Sequence, residues 1–277
     1  MSQHTAALLA RLAHASAVLV SVDQVQGSGP REEGAWMAVF SDAVINTIGG
    51  GHLEFQAIAE ARALLQRSTQ AVVPAHAQDV VLRYALGPAL GQCCGGVVHL
   101  RYEPIHAANV PALKERLTRH AETVALFGGG HVGKALVQVL GMLPYRVWWI
   151  DSRDEIFPGQ LPPNVMTEHS DPVQAAVANL PVGAHVLIMS FSHAEDLDVV
   201  AACLKRLRVQ ADLGSVGLIG SKTKWATFRH RLAARGFSDE ELAQVTCPIG
   251  VPLIRGKEPE VIAVAVAAQL LQRRTPR

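Results

Sequence analysis

Residues Val124–Leu136 read VALFGGGHVGKAL, and this stretch decides the fold of the second half of the chain. A short apolar run ends at Phe127, Gly128, Gly130 and Gly133 follow in GxGxxG spacing, and a helix-compatible run begins at His131. A parallel strand that turns sharply into a helix leaves the first N–H groups of that helix without intrahelical acceptors. It also points the positive end of the helix dipole at whatever lies beyond the turn, which suits a phosphate. In such a turn the second glycine, Gly130, lets the backbone approach the ligand, and the third, Gly133, lets the helix sit close to the strand. Gly129 and His131 lie in the same turn and are candidates for ligand contact. Asp151 ends the next apolar run, about 20 residues on, where an NAD-binding domain holds a ribose.

Working outward, strands and helices alternate from Glu122 onward. Apolar runs at Thr123–Phe127, Arg146–Ile150, His185–Ser190 and Val216–Ile219 are separated by helical patterns from His131, near Pro172–Asn179 and near Leu197–Leu207. Helices at Lys222–Arg235 and Glu258–Arg273 complete the series. Alternation with short connections is the pattern of a doubly wound parallel sheet, so an α/β fold is expected, with residues 122–277 as a Rossmann-like domain.

The first half differs. An amphipathic helix at the start is followed by a buried strand at Ala17–Val25 and by a hairpin, Ala35–Phe40 with Ala43–Ile48, turning at Ser41-Asp42. A helix over His52–Arg67 comes next. Short apolar segments at Ala71–Val73 and Val80–Leu86 precede a strand at Val97–Tyr102. Residues 1–103 are therefore expected to form a compact mixed α/β domain. Residues 104–121 are expected to supply a linker, Pro104–Asn109, and a connecting helix.

Composition narrows the function. In 277 residues, 49% are hydrophobic and the net charge is +1. That favours a packed globular chain and gives no reason to expect a general nucleic-acid or membrane-surface partner. No apolar run approaches the roughly 18 residues needed to span a bilayer, and the N-terminus lacks the pattern of a signal peptide. The four cysteines, Cys93, Cys94, Cys203 and Cys247, do not form a disulfide framework. A soluble cytoplasmic protein with free thiols is expected.

Three further clusters carry chemistry. Gly49-Gly50-Gly51 opens a helix and can cradle an anion by the same backbone physics as the first turn, or merely supply positive φ. Arg31, beside the flexible Gly27-Ser28-Gly29-Pro30, can make a two-pronged contact with phosphate or carboxylate, though a loop arginine is more often simply solvated. Cys93-Cys94, between Gly91-Gln92 and Gly95-Gly96, presents adjacent thiols on bendable backbone. Thiolates are nucleophiles and soft metal ligands, but the spacing is not that of a zinc knuckle. Cys247 sits in another turn-like segment, and Cys203 reads as helix core. His52, His131 and His193 all occupy predicted turns, where a lone histidine is usually surface. His193 and Lys222 are acid–base candidates if the turn serves a dehydrogenase.

Taken in order, GSGPREEGAWMAV (27–39), TIGGGHLE (47–54), GQCCGG (91–96), LFGGGHVGKAL (126–136), GLIGSKTKW (217–225) and CPIG (247–250) resemble the XdhC/CoxI family, and most closely its XdhC branch because the thiol loop carries two cysteines. The resemblance spans residues 17–271. It implies an N-terminal XdhC/CoxI-type domain and a Rossmann-like C-terminal one. It also implies a chaperone without turnover chemistry of its own that binds Mo-molybdopterin, the molybdenum cofactor, and protects it. Such a chaperone presents the cofactor to a cysteine desulfurase for sulfuration and inserts it into apo-xanthine dehydrogenase. Other partners would be the molybdenum-cofactor biosynthesis proteins. On this reading the cofactor lies in a cleft between the domains, its phosphate towards Gly128–Gly133 and its molybdenum near Cys93 or Cys94, with Gly49–Gly51 and Arg31 as further contacts. A homodimer fits the habit of soluble α/β proteins. Two other readings stay open. One is an NAD(P)-dependent oxidoreductase using the GxGxxG turn and Asp151; the other is a thiol-based redox or metal-handling protein.

Overall fold

A computed structural model describes residues 1–70, 79–87, 95–119 and 121–274. It divides into two compact units, one of residues 4–119 and the other of residues 120–276 with 1–3.

The first unit is an antiparallel five-stranded sheet in the order β3-β2-β1-β5-β4. Its strands are β1 (Ala17–Gln26), β2 (Trp36–Val39), β3 (Val44–Asn46), β4 (Val80–Ala85) and β5 (Val97–Ile105). Helix α1 (Gln3–Leu12) leads in, and α2 (Gly51–Gln70) follows β3. Alternate β1 residues Val18, Val20 and Val22 share one apolar cluster with Leu53, Ala57 and Ala61, which recur every four residues along α2. The strand period of two thus meets a helical stripe. Burying each such valine or leucine contributes about 1.5–3 kcal/mol.

The expected hairpin is present as β2 and β3, closed by Phe40 N–H donating to the Ala43 carbonyl. The expected linker begins later than Pro104, because β5 runs through Pro104 to Ile105, pairing them with Val18 and Ala17. Proline is tolerated there because, among the described residues, the β4 pairing ends at Val80–Tyr102 and this stretch of β5 has its ladder on the β1 side. A 3₁₀ turn (Ala107–Asn109) and α3 (Val110–Thr118) end the unit.

The second unit is a wholly parallel six-stranded sheet. Its elements in chain order are β6 (Glu122–Phe127), α4 (His131–Gly141), β7 (Tyr145–Asp151), β8 (Val165–His169), β9 (His185–Ile188), α5 (His193–Gln210), β10 (Ser215–Leu218), α6 (Lys222–Ala234), α7 (Asp239–Leu242), β11 (Val245–Thr246) and α8 (Pro259–Arg273). The spatial order is β8-β7-β6-β9-β10-β11. Counted within the unit this is 3-2-1-4-5-6, the order of the doubly wound dinucleotide-binding fold, with its switch point between β6 and β9. The α/β class and the Rossmann-like sheet expected from the sequence are therefore both present.

Along β6, Ala125 and Phe127 face a cluster completed by α5 and α6, whereas Val124 and Leu126 face one completed by α4 and α8. Both faces are covered, which is why the strand reads as an unbroken apolar run. Two strands were not foreseen, β8 and β11. Among the described residues Val165–His169 pairs only with β7, and three of its five residues, Met166, Thr167 and His169, are exposed, so it carries no buried-strand signature. The segment expected as a helix near Pro172 is a 3₁₀ helix, Val173–Asn179. Among the described residues no helix is long and apolar enough to cross a membrane.

Candidate functional site

The switch point places the Gly128–Gly133 turn at the carboxyl ends of β6 and β9, where open α/β sheets bind ligands. Each glycine answers a specific contact. Gly128 has φ +119°, and a Cβ there would lie 1.9 Å from the Met189 carbonyl oxygen on the neighbouring strand's end. Its own carbonyl accepts from Trp149 Nε1 at 2.9 Å. A Cβ on Gly133 would lie 2.2 Å from the Gly128 oxygen, so α4 approaches the turn as closely as backbone allows. Gly130 is the N-cap of α4, and a Cβ there would meet nothing within 4 Å.

That open N-cap has no side-chain cap, whereas α5, α6 and α7 are capped by Ser192, Ser221 and Ser238. His131, the first residue of α4, is exposed and with Lys134 lines a groove of about 400 Å³ beside Trp149 and Glu260. Just past the end of β9, the Ser190 hydroxyl is buried with no hydrogen-bond partner among the described residues.

Asp151, which the sequence placed where an NAD-binding domain holds a ribose, is engaged by the protein's own donors. It is 1% exposed, and it accepts from the Gly129 N–H at 2.6 Å and from Arg153 N, Nε and Nη2 at 2.9 Å each. Burial pushes its pKa up, but these hydrogen bonds outweigh burial and the net direction is downward. Arg153 was not singled out from the sequence. The signal available was local, a basic residue two positions past the acidic end of a strand.

The sequence named His193 and Lys222 as acid–base candidates. Both are exposed, at the first positions of α5 and α6. The lysine that is drawn inward is Lys224, whose Nζ donates to Asp196 Oδ2 at 2.6 Å and to the Ile219 carbonyl at 3.0 Å. Asp196 Oδ1 in turn accepts from Ser190 N at 2.7 Å.

In the first unit, three sequence motifs meet at one end of the sheet. A Cβ on Gly96, just past the cysteine pair, would lie 2.3 Å from the Ser28 carbonyl oxygen. One on Gly49 would lie 2.6 Å from Pro30 Cβ and 3.2 Å from Arg31 Cγ. Gly49, Gly50 and Gly51 all have positive φ. The turn already contains an anion of its own, because Glu54 Oε2 accepts from Ile48 N at 3.0 Å, from Gly50 N at 3.1 Å and from the Thr47 hydroxyl. Gly49 N donates to Thr47 Oγ1. Arg31 is engaged with Glu32 at 3.2 Å and with the Thr47 carbonyl at 3.4 Å. His52 is exposed and stacked on Phe55.

Cys93 and Cys94 lie outside the described residues. Of the two other cysteines, Cys203 is fully buried in the α5 core, and burial pushes its thiol up to about 12. Cys247 is partly buried, and burial raises it to about 11. Neither is an activated thiolate at neutral pH. Among the described residues, no group of three or more His, Cys, Asp or Glu side chains is placed to hold a metal ion.

With this geometry described, similarity to known proteins can be placed on it. Residues 124–270 match the family model of the XdhC Rossmann domain, which alone is more than half of the chain. The chain belongs to the XdhC family. Residues 10–75 of this XdhC-family chain match a second model, that of the XdhC and CoxI family. The uncharacterized protein YqeB of Escherichia coli (strain K12) is 26% identical over 249 residues, or 89% of this chain and 41% of YqeB. The chain thus spans about two fifths of the length of that relative. A crystal structure described as a xanthine dehydrogenase from Bacillus halodurans superposes with a TM-score of 0.75 at 19% identity, over 99% of this chain and 96% of that one. It shares the fold.

Proposed function

We propose that this XdhC-family chain is a molybdenum-cofactor chaperone. It binds Mo-molybdopterin, protects it, supports its sulfuration by a cysteine desulfurase, and inserts it into apo-xanthine dehydrogenase. Family membership supports the coarser part of this reading, a role in xanthine dehydrogenase maturation. The single observation that carries the ligand half is the start of α4, where an uncapped helix N-terminus at the switch point opens through Gly130 onto free space. Gly130, His131, Val132 and Gly133 there carry N–H groups that a helix cannot satisfy internally, and a phosphate satisfies them. These residues fit the terminal phosphate of a molybdopterin.

The chain's own work is to bind and to orient. The α4 start holds the phosphate, and the glycines keep side chains out of its approach. Cys93 and Cys94 supply thiols for the metal side. When bound, the cofactor contributes a molybdenum centre whose oxo ligand is exchanged for sulfido. Release to a partner enzyme calls for modest affinity rather than a permanent site.

The test is direct. The purified chain is incubated with Mo-molybdopterin, freed of excess by gel filtration, and read by absorbance and molybdenum content. Retention of cofactor, with transfer to apo-xanthine dehydrogenase, is the expected result. Cys93→Ala/Cys94→Ala protein is expected to lose retention or transfer. NAD(H) binding in the micromolar range, with no Mo-molybdopterin retained, would instead favour the oxidoreductase reading, for which the 3-2-1-4-5-6 strand order is the supporting observation.

A further inference from the structure

The ribose-binding position of the Rossmann crevice is closed in this chain, and three separate contacts close it. An ionised carboxylate offers about four acceptor positions. On Asp151 four donors fill them: Gly129 N and Arg153 Nη2 on Oδ2, Arg153 N and Nε on Oδ1. No acceptor position is left for a ribose hydroxyl, which in NAD-binding folds is hydrogen-bonded by the acidic residue at this place. Ile156 then fills the neighbouring space. A Cβ on Gly129 would lie 2.5 Å from Ile156 Cγ1 and 3.2 Å from Asp151 Oδ2, so both side chains crowd the turn at Gly129. Finally, Arg153 is braced from the next loop. Its guanidinium carbon sits 4.4 Å from the Phe191 ring centroid, while Glu195 holds both the Phe191 N–H and the Ser152 hydroxyl.

We propose that Arg153 is the specificity-determining residue of the glycine turn. By saturating Asp151 it excludes adenine dinucleotides and leaves the start of α4 to a phosphate-bearing ligand with no ribose at that position. This rests on the reading of the turn as a phosphate site made above. Arg153 is a positioning residue here, since it acts through Asp151 and not on the ligand. Three of the guanidinium's five N–H donors have no acceptor among the described residues, which by itself would suit the 2′-phosphate of NADP. The surroundings oppose that. Asp151 and Glu195 place two carboxylates beside this one guanidinium, so the local charge is net negative and repels a further phosphate.

Binding of NAD⁺ and NADP⁺ to the full chain is measured by calorimetry for the wild type, Arg153→Ala and Arg153→Lys, each checked for a native melting profile. The wild type is expected to show no saturable binding of either nucleotide below millimolar concentration. Arg153→Ala is expected to gain NAD⁺ affinity by about tenfold or more. Arg153→Lys, a point charge that cannot fill two acceptor positions as a fork does, is expected to fall between them, and it carries the test if Arg153→Ala does not fold. Micromolar NAD⁺ binding by the wild type overturns the proposal. So does tighter binding of NADP⁺ than NAD⁺, which would make Arg153 a phosphate receptor. No gain in either folded variant overturns it as well. Mo-molybdopterin retention is measured on the same proteins, so failure of the chaperone reading appears as lost retention in the wild type whatever the nucleotides do.

Discussion

Gly128, Gly130 and Gly133 share one motif and perform different tasks, which makes them separable by substitution. At Gly128 an added methyl meets the Met189 carbonyl at 1.9 Å on a backbone with φ +119°, and at Gly133 it meets the Gly128 carbonyl at 2.2 Å. Neither neighbour is a flexible side chain, so Gly128→Ala and Gly133→Ala should each cost about 3 kcal/mol or more. In a chain of this size that lowers the melting midpoint by roughly 6–12 °C. Gly130→Ala adds its methyl to open space at φ −68°, a conformation any residue adopts. Its stability should change by no more than about 0.5 kcal/mol, yet Mo-molybdopterin retention should weaken by about tenfold because the methyl stands where the phosphate approaches. Unchanged retention in Gly130→Ala would remove the α4 start from the site. The cysteines separate in the same way. In a Cys93→Ser/Cys94→Ser protein the remaining thiols, raised by burial to about 12 at Cys203 and about 11 at Cys247, should resist iodoacetamide at about pH 8 until the chain is denatured. Rapid native-state labelling of Cys247 would restore it as a candidate nucleophile.

At the scale of elements, the ends of helices decide what the chain can bind. The turn before α2 is filled by Glu54 and α5 to α7 are capped by serines; α3, α4 and α8 have no side-chain cap, and of these α4 starts at the switch point of the sheet. The tie between α5 and α6 is ionic. Asp196 and Lys224 are 3% and 13% exposed at the side chain and 2.6 Å apart. Removing one partner strands a buried charge, so Lys224→Met should destabilise the chain by about 3 kcal/mol. Adding Asp196→Asn should recover part of the loss, because the asparagine oxygen can still accept from Ser190 N. A purely additive double variant in thermal melts would show that the pair is not coupled.

These elements also explain what was legible beforehand. The strand period of two in β1 and the glycine spacing after β6 are local signals, and they located the sheet types and the turn. Edge strands β8 and β11 gave no such signal, since one is largely exposed and the other has two residues. Asp151 was visible as an acidic strand end, but its sealing by Arg153, Ile156 and the Gly129 amide depends on three-dimensional contact that spacing does not encode. The same holds for Lys224, which the sequence passed over for its exposed neighbour Lys222.

For the whole molecule, several carboxylates with lowered pKa values and one buried histidine, His185, set the response to acid. Asp42, Asp151, Asp212 and Glu241 are each held below their ordinary values, Asp42 by Arg11, Asp212 by Arg206, and Glu241 by Arg208, which brings it to about 2, while at Asp151 hydrogen bonds from Arg153 and the Gly129 amide overcome the opposing effect of burial. A carboxylate whose folded pKa is depressed contributes stability that is fully present above its unfolded value and is lost as pH falls through the folded one. That window opens near the ordinary values of 3.8 and 4.5 and extends downward to about 2 for Glu241. His185 acts earlier. It is buried at the start of β9, with Nδ1 2.9 Å from Ser215 Oγ, Glu122 3.6 Å from Nε2 and Arg273 nearby. Burial lowers its pKa from 6.5, Arg273 adds to this, and Glu122 opposes it. Between 6.5 and the lowered value the unfolded chain binds the proton that the folded chain refuses, so stability falls as pH drops through that window. The melting midpoint should therefore decline in two stages, a first below pH 6.5 from His185 and a steeper one below about 4.5 from the carboxylates. His185→Gln keeps a hydrogen-bonding side chain beside Ser215 but cannot titrate, so it should abolish the first stage and leave the second in place. If the upper decline persists in His185→Gln, its origin lies in another group, and the burial of His185 is not what limits this molecule in mild acid.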